Sequence, residues 1–374
     1  AINKMQRNTV SFGVNSLNNI NSNLLYKVPD DEVSITKYRK SFHLFHFHSL
    51  QPYIDDPQYK LTLLSENILN TLQSEFSVMY DRSEKFKRLG FSATYAGLFP
   101  FLTAGVNYTF DRRIFRRQNP VYFNQFEPFV GFNIPLDLSK GRSIVSLNGG
   151  SQFVFNQSNF TGKYKDTFNT VSYSYINNYI SFVHQIQKAQ LQIFPRFAQS
   201  ISVSLKSSLT HYEGHQWMVS GNLYFPGISP THSLVLNGAY LKKDSLNQIN
   251  FSSGFPFSRG YESANFYDMR KWGVNYHMPL LYPDFGFANI VYLLRARSNF
   301  FYDETRVKDF YSNGNVYKNS FRSLGAEIFL DTKWWNQVNL NFGVRYSYLL
   351  DKTIYGEASK NRWEIILPVN IFDN

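Results

Sequence analysis

Apolar and polar side chains alternate with a period of two through much of this chain, and this pattern constrains its fold most. The clearest example runs from Val338 to Tyr348, where the even positions are apolar or aromatic and the odd positions are polar or glycine. Successive side chains of a β-strand point to opposite faces, so the pattern predicts strands with one apolar and one polar face. The same alternation recurs at Phe76–Tyr80, Phe91–Tyr95, Ala104–Phe110, Val145–Phe155, Ile201–Leu205, Leu234–Tyr240, Leu324–Leu330 and Trp363–Ile371.

The lengths of these segments favour strands that cross a membrane. A tilted strand needs roughly nine to eleven residues to cross a bilayer, whereas strands of soluble proteins are usually about five or six residues long. The chain from Tyr59 onward has room for roughly 16 strands with their connections. We therefore expect an all-β fold, a transmembrane antiparallel β-barrel over residues 59–374. Residues 1–58 are expected to form an N-terminal periplasmic segment, a plug or a linker.

Composition supports the membrane interpretation over its alternative, a large soluble β-structure. Aromatic residues make up 18% of the chain and charged residues 17%, and a barrel places many aromatic rings on its outer wall and at the membrane interfaces. No run of about 18 apolar residues is present to form a spanning helix. The net charge of +11 has no accompanying nucleic-acid motif. The expected counter-charges are outer-membrane lipids and lipopolysaccharide phosphates, and no nucleic-acid partner is expected.

Motifs that carry chemistry are few. The sequence has no phosphate-binding glycine loop, zinc-protease helix or nucleophile elbow, and it has no cysteine. His43, His46 and His48 form one histidine cluster, in which His46 and His48 share a face if the segment is a strand. A metal could use that pair, but no third ligand stands at a matching spacing, which favours an aromatic segment at a membrane interface. We predict no enzyme activity, no cofactor and no metal site.

One loop motif resembles a known family. Phe257, Ser258, Arg259, Gly260, Tyr261 and Glu262 are similar to the Arg-Gly-aromatic loop motif of the Omp85-type outer-membrane assembly and translocation superfamily, to which BamA belongs. Members of this superfamily have 16-stranded barrels that insert or translocate other proteins. The later stretches Asn275–Leu280 and Phe300–Asp303 also resemble strands of that superfamily in order and spacing. The resemblance is strongest over about residues 250 to 350, and it departs from the family where Glu304, and not glycine, follows Asp303.

The resemblance implies that the extracellular loop folds into the barrel lumen, with Arg259, Gly260 and Tyr261 as its motif and Asp303 as the partner of Arg259. A guanidinium inside a partly dehydrated lumen needs a fixed carboxylate or aromatic partner. The alternative is an ordinary external loop with an exposed arginine. Long loops are predicted at Asp111–Tyr122, Gln157–Thr170, Phe257–Met269 and Asp303–Asn319, and short turns at Ala96–Pro100, Gly227–Pro230 and Thr332–Asn336.

A further resemblance covers Lys37 to Asn70, which is similar to surface barrels of Bacteroidota-type bacteria and leads us to expect a missing N-terminal periplasmic domain. Three functions remain open. The favoured one is an outer-membrane barrel of a Gram-negative bacterium that aids insertion or export of client envelope proteins. The others are a passive or gated pore for small solutes and a barrel-embedded hydrolase.

Overall fold

The computed structural model describes residues 44–55, 58–81, 86–116, 119–162, 165, 169–189, 191–244, 249, 251, 254–262, 266–310, 315–335, 338–353 and 359–366. Residues 1–43, with His43 among them, lie outside the described residues. Within those that are described, the chain forms seventeen β-strands. Their bounds are β1 Phe47–Asp55, β2 Gln58–Glu66, β3 Leu72–Asp81, β4 Phe86–Tyr95, β5 Phe101–Arg116, β6 Asn119–Asp137, β7 Ser143–Thr161, β8 Val171–Ile186, β9 Ala198–Ser208, β10 His215–Pro226, β11 Ser233–Lys243, β12 Asp268–Leu281, β13 Phe285–Phe287, β14 Val291–Phe310, β15 Val316–Trp334, β16 Val338–Leu349 and β17 Asn361–Ile366.

The strands form one antiparallel sheet in which each strand pairs with the next along the chain. The exception is β13, a piece of three residues that pairs with β14 just beyond the stretch of β14 that pairs with β12. Counted together, β12 and β13 are one interrupted strand, so sixteen strands lie side by side in the described sheet. This agrees with the all-β fold of about 16 strands that the alternating pattern predicts.

The two faces of the sheet differ as the alternation predicts. On β15 and β16 the apolar set points outward, with Ile328 53% and Val344 46% exposed, whereas Glu327 on the opposite face is 3% exposed. Trp363 on β17 is 71% exposed and points to the same side as Val344. We call the side with the exposed apolar residues the apolar face and the other side the polar face. A sheet with its apolar side chains exposed and its polar ones buried suits a barrel in lipid.

Some predicted connections are wrong. The predicted loop Asp111–Tyr122 lies almost wholly in β5 and β6, and Asp303–Asn319 lies mostly in β14 and β15. Both segments are polar, but their backbone groups pair across the hairpins, so the strands extend well beyond their apolar portions. Asp303 therefore lies within β14 and does not end it. The turns at 96–100 and 227–232 are short, as predicted, and the turn predicted at Thr332–Asn336 starts later because β15 continues to Trp334.

The start of the sheet also differs from the predicted boundary at residue 58. β1 begins at Phe47 and pairs along its length with β2, so the last part of the predicted N-terminal segment belongs to the sheet. The periplasmic, plug or linker role stays a prediction for the residues before it. Within the described parts of the chain, no helix is long and apolar enough to cross a membrane.

Candidate functional site

In the connection between β11 and β12, the described residues 254–262 fold back onto the polar face of the sheet. Ser258 fixes their position, because its hydroxyl lies 2.7 Å from Thr305 Oγ1 and donates to the Phe321 carbonyl at 2.9 Å. Thr305 and Phe321 belong to the neighbouring strands β14 and β15. Ser258 is buried, so the loop lies in the interior of the fold and is not an exposed external loop. We call residues 254–262 the inner loop.

Arg259 makes more hydrogen bonds than any other described residue of the inner loop. Its Nε donates to Asp303 Oδ2 at 2.7 Å and its Nη2 to Asp303 Oδ1 at 3.0 Å. Nη1 lies 3.3 Å from Glu327 Oε1, and Nη2 also donates to Asn275 Oδ1 at 2.6 Å. The guanidinium therefore reaches three neighbouring strands, β12, β14 and β15. Its planar array of donors suits a bidentate carboxylate and a second acceptor at once.

The surroundings of this ion pair supply an aromatic ring and two further cations. The guanidinium carbon of Arg259 lies 3.7 Å from the centre of the Phe301 ring, a cation–π geometry that holds the group flat against the wall. Lys271 Nζ lies 3.7 Å from Asp303 and Arg345 Nε 2.5 Å from Glu327. Each buried carboxylate thus faces two cations. Buried charges are tolerated when they are paired and hydrogen-bonded in this way.

Gly260 and Tyr261 complete the motif. Gly260 has a φ of +82°, a conformation that side chains with a Cβ rarely adopt. A Cβ placed there would also lie 2.9 Å from both Ser347 Cβ and Leu349 Cδ2 on β16. The Tyr261 hydroxyl donates to the Arg322 carbonyl at 2.8 Å and accepts from the Asp351 backbone N–H at 3.0 Å. Together the three motif residues lie against β12, β14, β15 and β16.

An apolar cluster lies beside these polar contacts, between the inner loop and the wall. Phe321 is fully buried, and the rings of Phe257 and Tyr261 each lie 5.3 Å from it. The buried members of the cluster are Ala239, Leu241, Phe255, Tyr261, Phe266, Met269, Val307, Phe321 and Leu349. Burial of this many side chains stabilises the loop by several kcal/mol, at about 25 cal/mol per Å² of apolar surface. The folded position of the loop therefore does not depend on the ion pair alone.

The same connection has a second anchor on a distant part of the sheet. Phe251 is buried, and its ring lies 5.1 Å from Tyr175 and 6.5 Å from Tyr173, both on β8. Ile249 and Phe251 also pack close to Gly214, which precedes β10. The connection thus contacts β8 near its start and β12 to β16 near its end. The sequence motif at Arg259 gave no indication of this second anchor.

A second segment lies on the polar face, and its position was not predicted from the sequence. Residues 187–197, between β8 and β9, lie at the opposite end of the sheet from the inner loop, and they reach across to β12 and β14. The ring of Phe194 lies 4.8 Å from His277, edge to face, and Ile193 is 3% exposed. The Leu191 carbonyl accepts from the Tyr282 hydroxyl at 3.1 Å. The sequence signal for this contact was the apolar Ile-Phe-Pro run at residues 193–195. We call residues 187–197 the opposite-end loop.

The histidine segment gives no sign of a metal centre. The rings of His46 and His48 stack with centres 6.4 Å apart, and His48 Nε2 lies 4.0 Å from Glu66. In the described parts of the chain, no group of three or more His, Asp or Glu side chains is placed to hold a metal ion.

Comparison with solved structures places this architecture among membrane barrels. BamA from Haemophilus ducreyi, in a form that lacks POTRA domains 1–3, superposes with a TM-score of 0.56 at 12% identity, over 83% of this chain and 67% of that one. CdiB from Escherichia coli superposes with a TM-score of 0.53 at 11% identity, over 84% of this chain and 61% of that one. No family model matches the sequence. No curated protein matches it either.

The fold is therefore that of an outer-membrane β-barrel, with the polar face directed inward. More particularly, it is similar to the barrel fold of BamA and CdiB, and at 11 to 12% identity this likeness concerns the fold alone. The chain spans about two thirds or less of the length of either solved structure. The Bacteroidota-type resemblance stays a prediction.

Proposed function

We propose that this chain is the barrel of a Gram-negative outer-membrane protein that assists the insertion or export of other envelope proteins. The observation that carries the proposal is the inner loop, whose Arg259 is bonded to Asp303 and Glu327 on the polar face. The fold shared with BamA and CdiB supports the same assignment. The expected partners are client proteins, outer-membrane lipids and lipopolysaccharide. The proposal includes no catalytic role.

The geometry of the inner loop suggests what it contributes. Contacts of Arg259, Gly260 and Tyr261 fix β12, β14, β15 and β16 relative to one another. A barrel that handles other proteins has to keep its wall ordered while a client chain passes or pairs with it. We infer that the inner loop braces this part of the wall, and that Arg259 is a positioning residue and not a catalytic one.

The two segments on the polar face also favour this function over a wide passive pore. The inner loop lies on the wall near one end of the sheet, and the opposite-end loop lies near the other. Both occupy space through which solutes would have to diffuse in an open channel. Movement of either segment would be required for passage, which suits a regulated conduit for chains better than a diffusion pore.

The proposal is tested by assisted folding of a client. The protein is reconstituted into lipid vesicles, a small urea-unfolded outer-membrane barrel is added, and folding of the client is followed by heat-modifiable gel migration. We expect faster client folding than in empty vesicles, and a loss of most of that acceleration with Arg259→Ala. Arg142→Ala, in the exposed turn between β6 and β7, is the matched control and should behave as the parent protein.

Two results would contradict the proposal. One is the absence of any acceleration by the folded parent protein. The other is a large, steady conductance in planar bilayers without client activity, which would favour the solute pore instead.

A further inference from the structure

The apolar face changes character near the end of the sheet that carries the inner loop. Toward the middle of the sheet, the residues in register on four strands are Leu236, Val274, Tyr302 and Leu324. At the last row in which all four strands pair they are Lys242, Asp268, Lys308 and Lys318. Beyond that row, Phe310 on β14 pairs with Val316 on β15, and each is 46% exposed. Two rows lie between the Leu236 row and the Lys242 row. The row nearer the middle of the sheet contains Trp272, Glu304 and Arg322, and the row nearer the loops contains Tyr240, Arg270, Arg306 and Ser320. The wall thus passes from apolar through aromatic to charged over a few residues.

This sequence of rows marks a membrane–water boundary. Aromatic side chains of membrane barrels gather at the level of the lipid headgroups, and the ring of Trp272 lies 5.2 Å from that of Tyr302 in the adjacent row. Lys308 and Lys318, further toward the loops, are therefore at the height at which the polar groups of lipids are found. Lysines at this height can extend toward the headgroups and keep their stems on apolar surface.

The acidic groups of this region each meet one arginine. Arg270 Nε lies 3.1 Å from Asp268, Arg306 Nε lies 2.5 Å from Glu304, and Arg322 Nη2 lies 2.9 Å from Asp351. Lys308 on β14 stands directly opposite Lys318 on β15 and, on its other side, opposite Asp268 on β12, whose carboxylate is bonded to Arg270. Among the described residues, no carboxylate lies within ion-pair distance of either ammonium group. Like charges directly opposite on neighbouring strands destabilise a sheet, and an anion between them would remove that cost.

A surface cleft of about 860 Å³ lies over this pair. Its lining is positive overall, because five cations (Lys308, Lys318, Arg306, Arg270 and Arg322) face three carboxylates (Asp268, Glu304 and Asp351). The Arg306 side chain is 67% exposed. Basic side chains grouped in this way bind phosphate oxygens through charge-assisted hydrogen bonds. Because the cleft opens on the lipid-facing side, its ligand has to be reachable from the membrane.

We propose that Lys308 and Lys318, with Arg306 beside them, bind the phosphate of a phosphorylated lipid headgroup in the leaflet that surrounds the inner-loop end of the barrel. This site rests on the proposed function only in that the chain spans a membrane. It predicts that the protein selects lipids by their phosphate and not by their acyl chains. A bound lipid of this kind would shield the two lysines and hold β14 and β15 at a fixed depth in the membrane.

The test measures lipid retention by the reconstituted protein. The protein is placed in phosphatidylcholine nanodiscs that contain a small fraction of lipid A, with or without its phosphate groups, and retained lipid is measured by native mass spectrometry after release. The parent protein should retain the phosphorylated form. The double variant Lys308→Gln with Lys318→Gln should bind it about tenfold more weakly, since it lacks two charge-assisted hydrogen bonds. Equimolar inorganic phosphate should not displace the lipid.

Lys87→Gln is the matched control. Lys87 is an exposed lysine on the apolar face near the same end of the sheet, but its register neighbours are Tyr80 and Phe110. It therefore lacks a second cation opposite it, and its loss should leave retention unchanged.

Three outcomes would overturn the proposal: equal retention by the double variant and the parent, equal retention of the dephosphorylated lipid, or displacement by equimolar inorganic phosphate. The client-folding assay separates this result from the proposed function. If the parent protein selects the phosphorylated lipid but does not accelerate client folding, only the proposed function fails. If it accelerates client folding but shows no lipid selection, only the lipid site fails.

Discussion

Arg259 and Asp303 form a bidentate ion pair across 44 positions of sequence, with Nε–Oδ2 and Nη2–Oδ1 distances of 2.7 and 3.0 Å. The backbone N–H of Arg259 donates to the same carboxylate at 3.2 Å. The Asp303 side chain has no solvent exposure and that of Arg259 has 15%. Both the side chain and the backbone of one loop residue are therefore bound to one buried acid on the wall.

Replacing Arg259 by alanine should destabilise the protein, because Asp303 and Glu327 would lose a cation while they stay buried. Removal of one partner of a buried ion pair costs about 3 to 5 kcal/mol, and Lys271 and Arg345 should reduce that cost. The free energy of unfolding would be measured by urea titration in detergent. Arg142→Ala should change it by less than about 0.5 kcal/mol. A double-mutant cycle of Arg259→Ala and Asp303→Ala should show a coupling energy of about 1 to 3 kcal/mol. Additive effects of the two substitutions would argue against a stabilising ion pair.

Gly260→Ala should also destabilise the inner loop, for two separable reasons. The φ of +82° is unfavourable for alanine, and the new Cβ would lie 2.9 Å from atoms of Ser347 and Leu349. The combined cost should be about 1 to 3 kcal/mol. Gly141→Ala is the control, since Gly141 has a φ of +57° with no atom within 4 Å of its Cβ position. Equal losses of unfolding free energy in the two variants would mean that the loop does not pack tightly on β16.

Much of the fold could be predicted from the alternating pattern, and the reason is physical. Residues such as Val344 and Glu327 must face lipid and the interior respectively, so period-two alternation determines both the strand and its faces. The same rule fails where a strand leaves the membrane. Residues 112–116 pair with β6 although the alternation is lost there, because polar side chains suit both faces of a strand that extends into water.

The candidate site was predictable only in part. The Arg259 motif and Asp303 follow from a family resemblance, and the structure brings the two residues together. Asn275 and Phe301 also contact Arg259. Both lie in stretches that resemble strands of the same family, but that resemblance did not indicate a contact with Arg259. The opposite-end loop depends on contacts such as Phe194 with His277, 83 positions later, and sequence periodicity does not encode contacts across a barrel interior.

Protonation of Asp351 should weaken the connection after β16. The Arg322 side chain donates to its carboxylate and holds the pKa of Asp351 below its usual range. An acid with a lowered pKa in the folded state stabilises the protein above its unfolded pKa of about 3.9, and this contribution is lost as the pH falls through the lower folded value. The parent protein should therefore lose more unfolding free energy than Asp351→Asn between pH 5 and strong acid. If the unfolding free energies of the two proteins change in parallel with pH, the ion pair of Arg322 and Asp351 contributes nothing to stability.

Charge on the apolar face of β16 should impair membrane insertion. Val344 is 46% exposed on that face, and a charged residue there would cost about 2 to 4 kcal/mol near the membrane midplane. Asn341, on the polar face opposite Asp331, should accept arginine with little effect. The folded fraction in vesicles after dilution from urea distinguishes Val344→Arg from Asn341→Arg. A larger defect in Asn341→Arg would mean that the assignment of faces is reversed.

Release of the opposite-end loop should be detectable by proteolysis. Phe194 packs on His277 and Tyr224, and loss of its ring removes roughly 1.5 to 3 kcal/mol of apolar burial from the closed position of the loop. Local opening should rise by about tenfold or more, and trypsin should then cleave faster after Lys188 and Arg196. Fragment masses identify these cleavage sites.

Leu191→Ala is the control for that experiment, because Leu191 belongs to the same loop but its side chain is 57% exposed. Its backbone carbonyl, which accepts from Tyr282, remains after the substitution. Cleavage in Leu191→Ala should therefore proceed at nearly the parent rate, while Phe194→Ala is cut faster in the loop and not elsewhere. If the parent, Phe194→Ala and Leu191→Ala are all cleaved at the same rate, the ring of Phe194 does not hold the loop against the polar face. The loop would then offer little resistance to a chain that enters from that end.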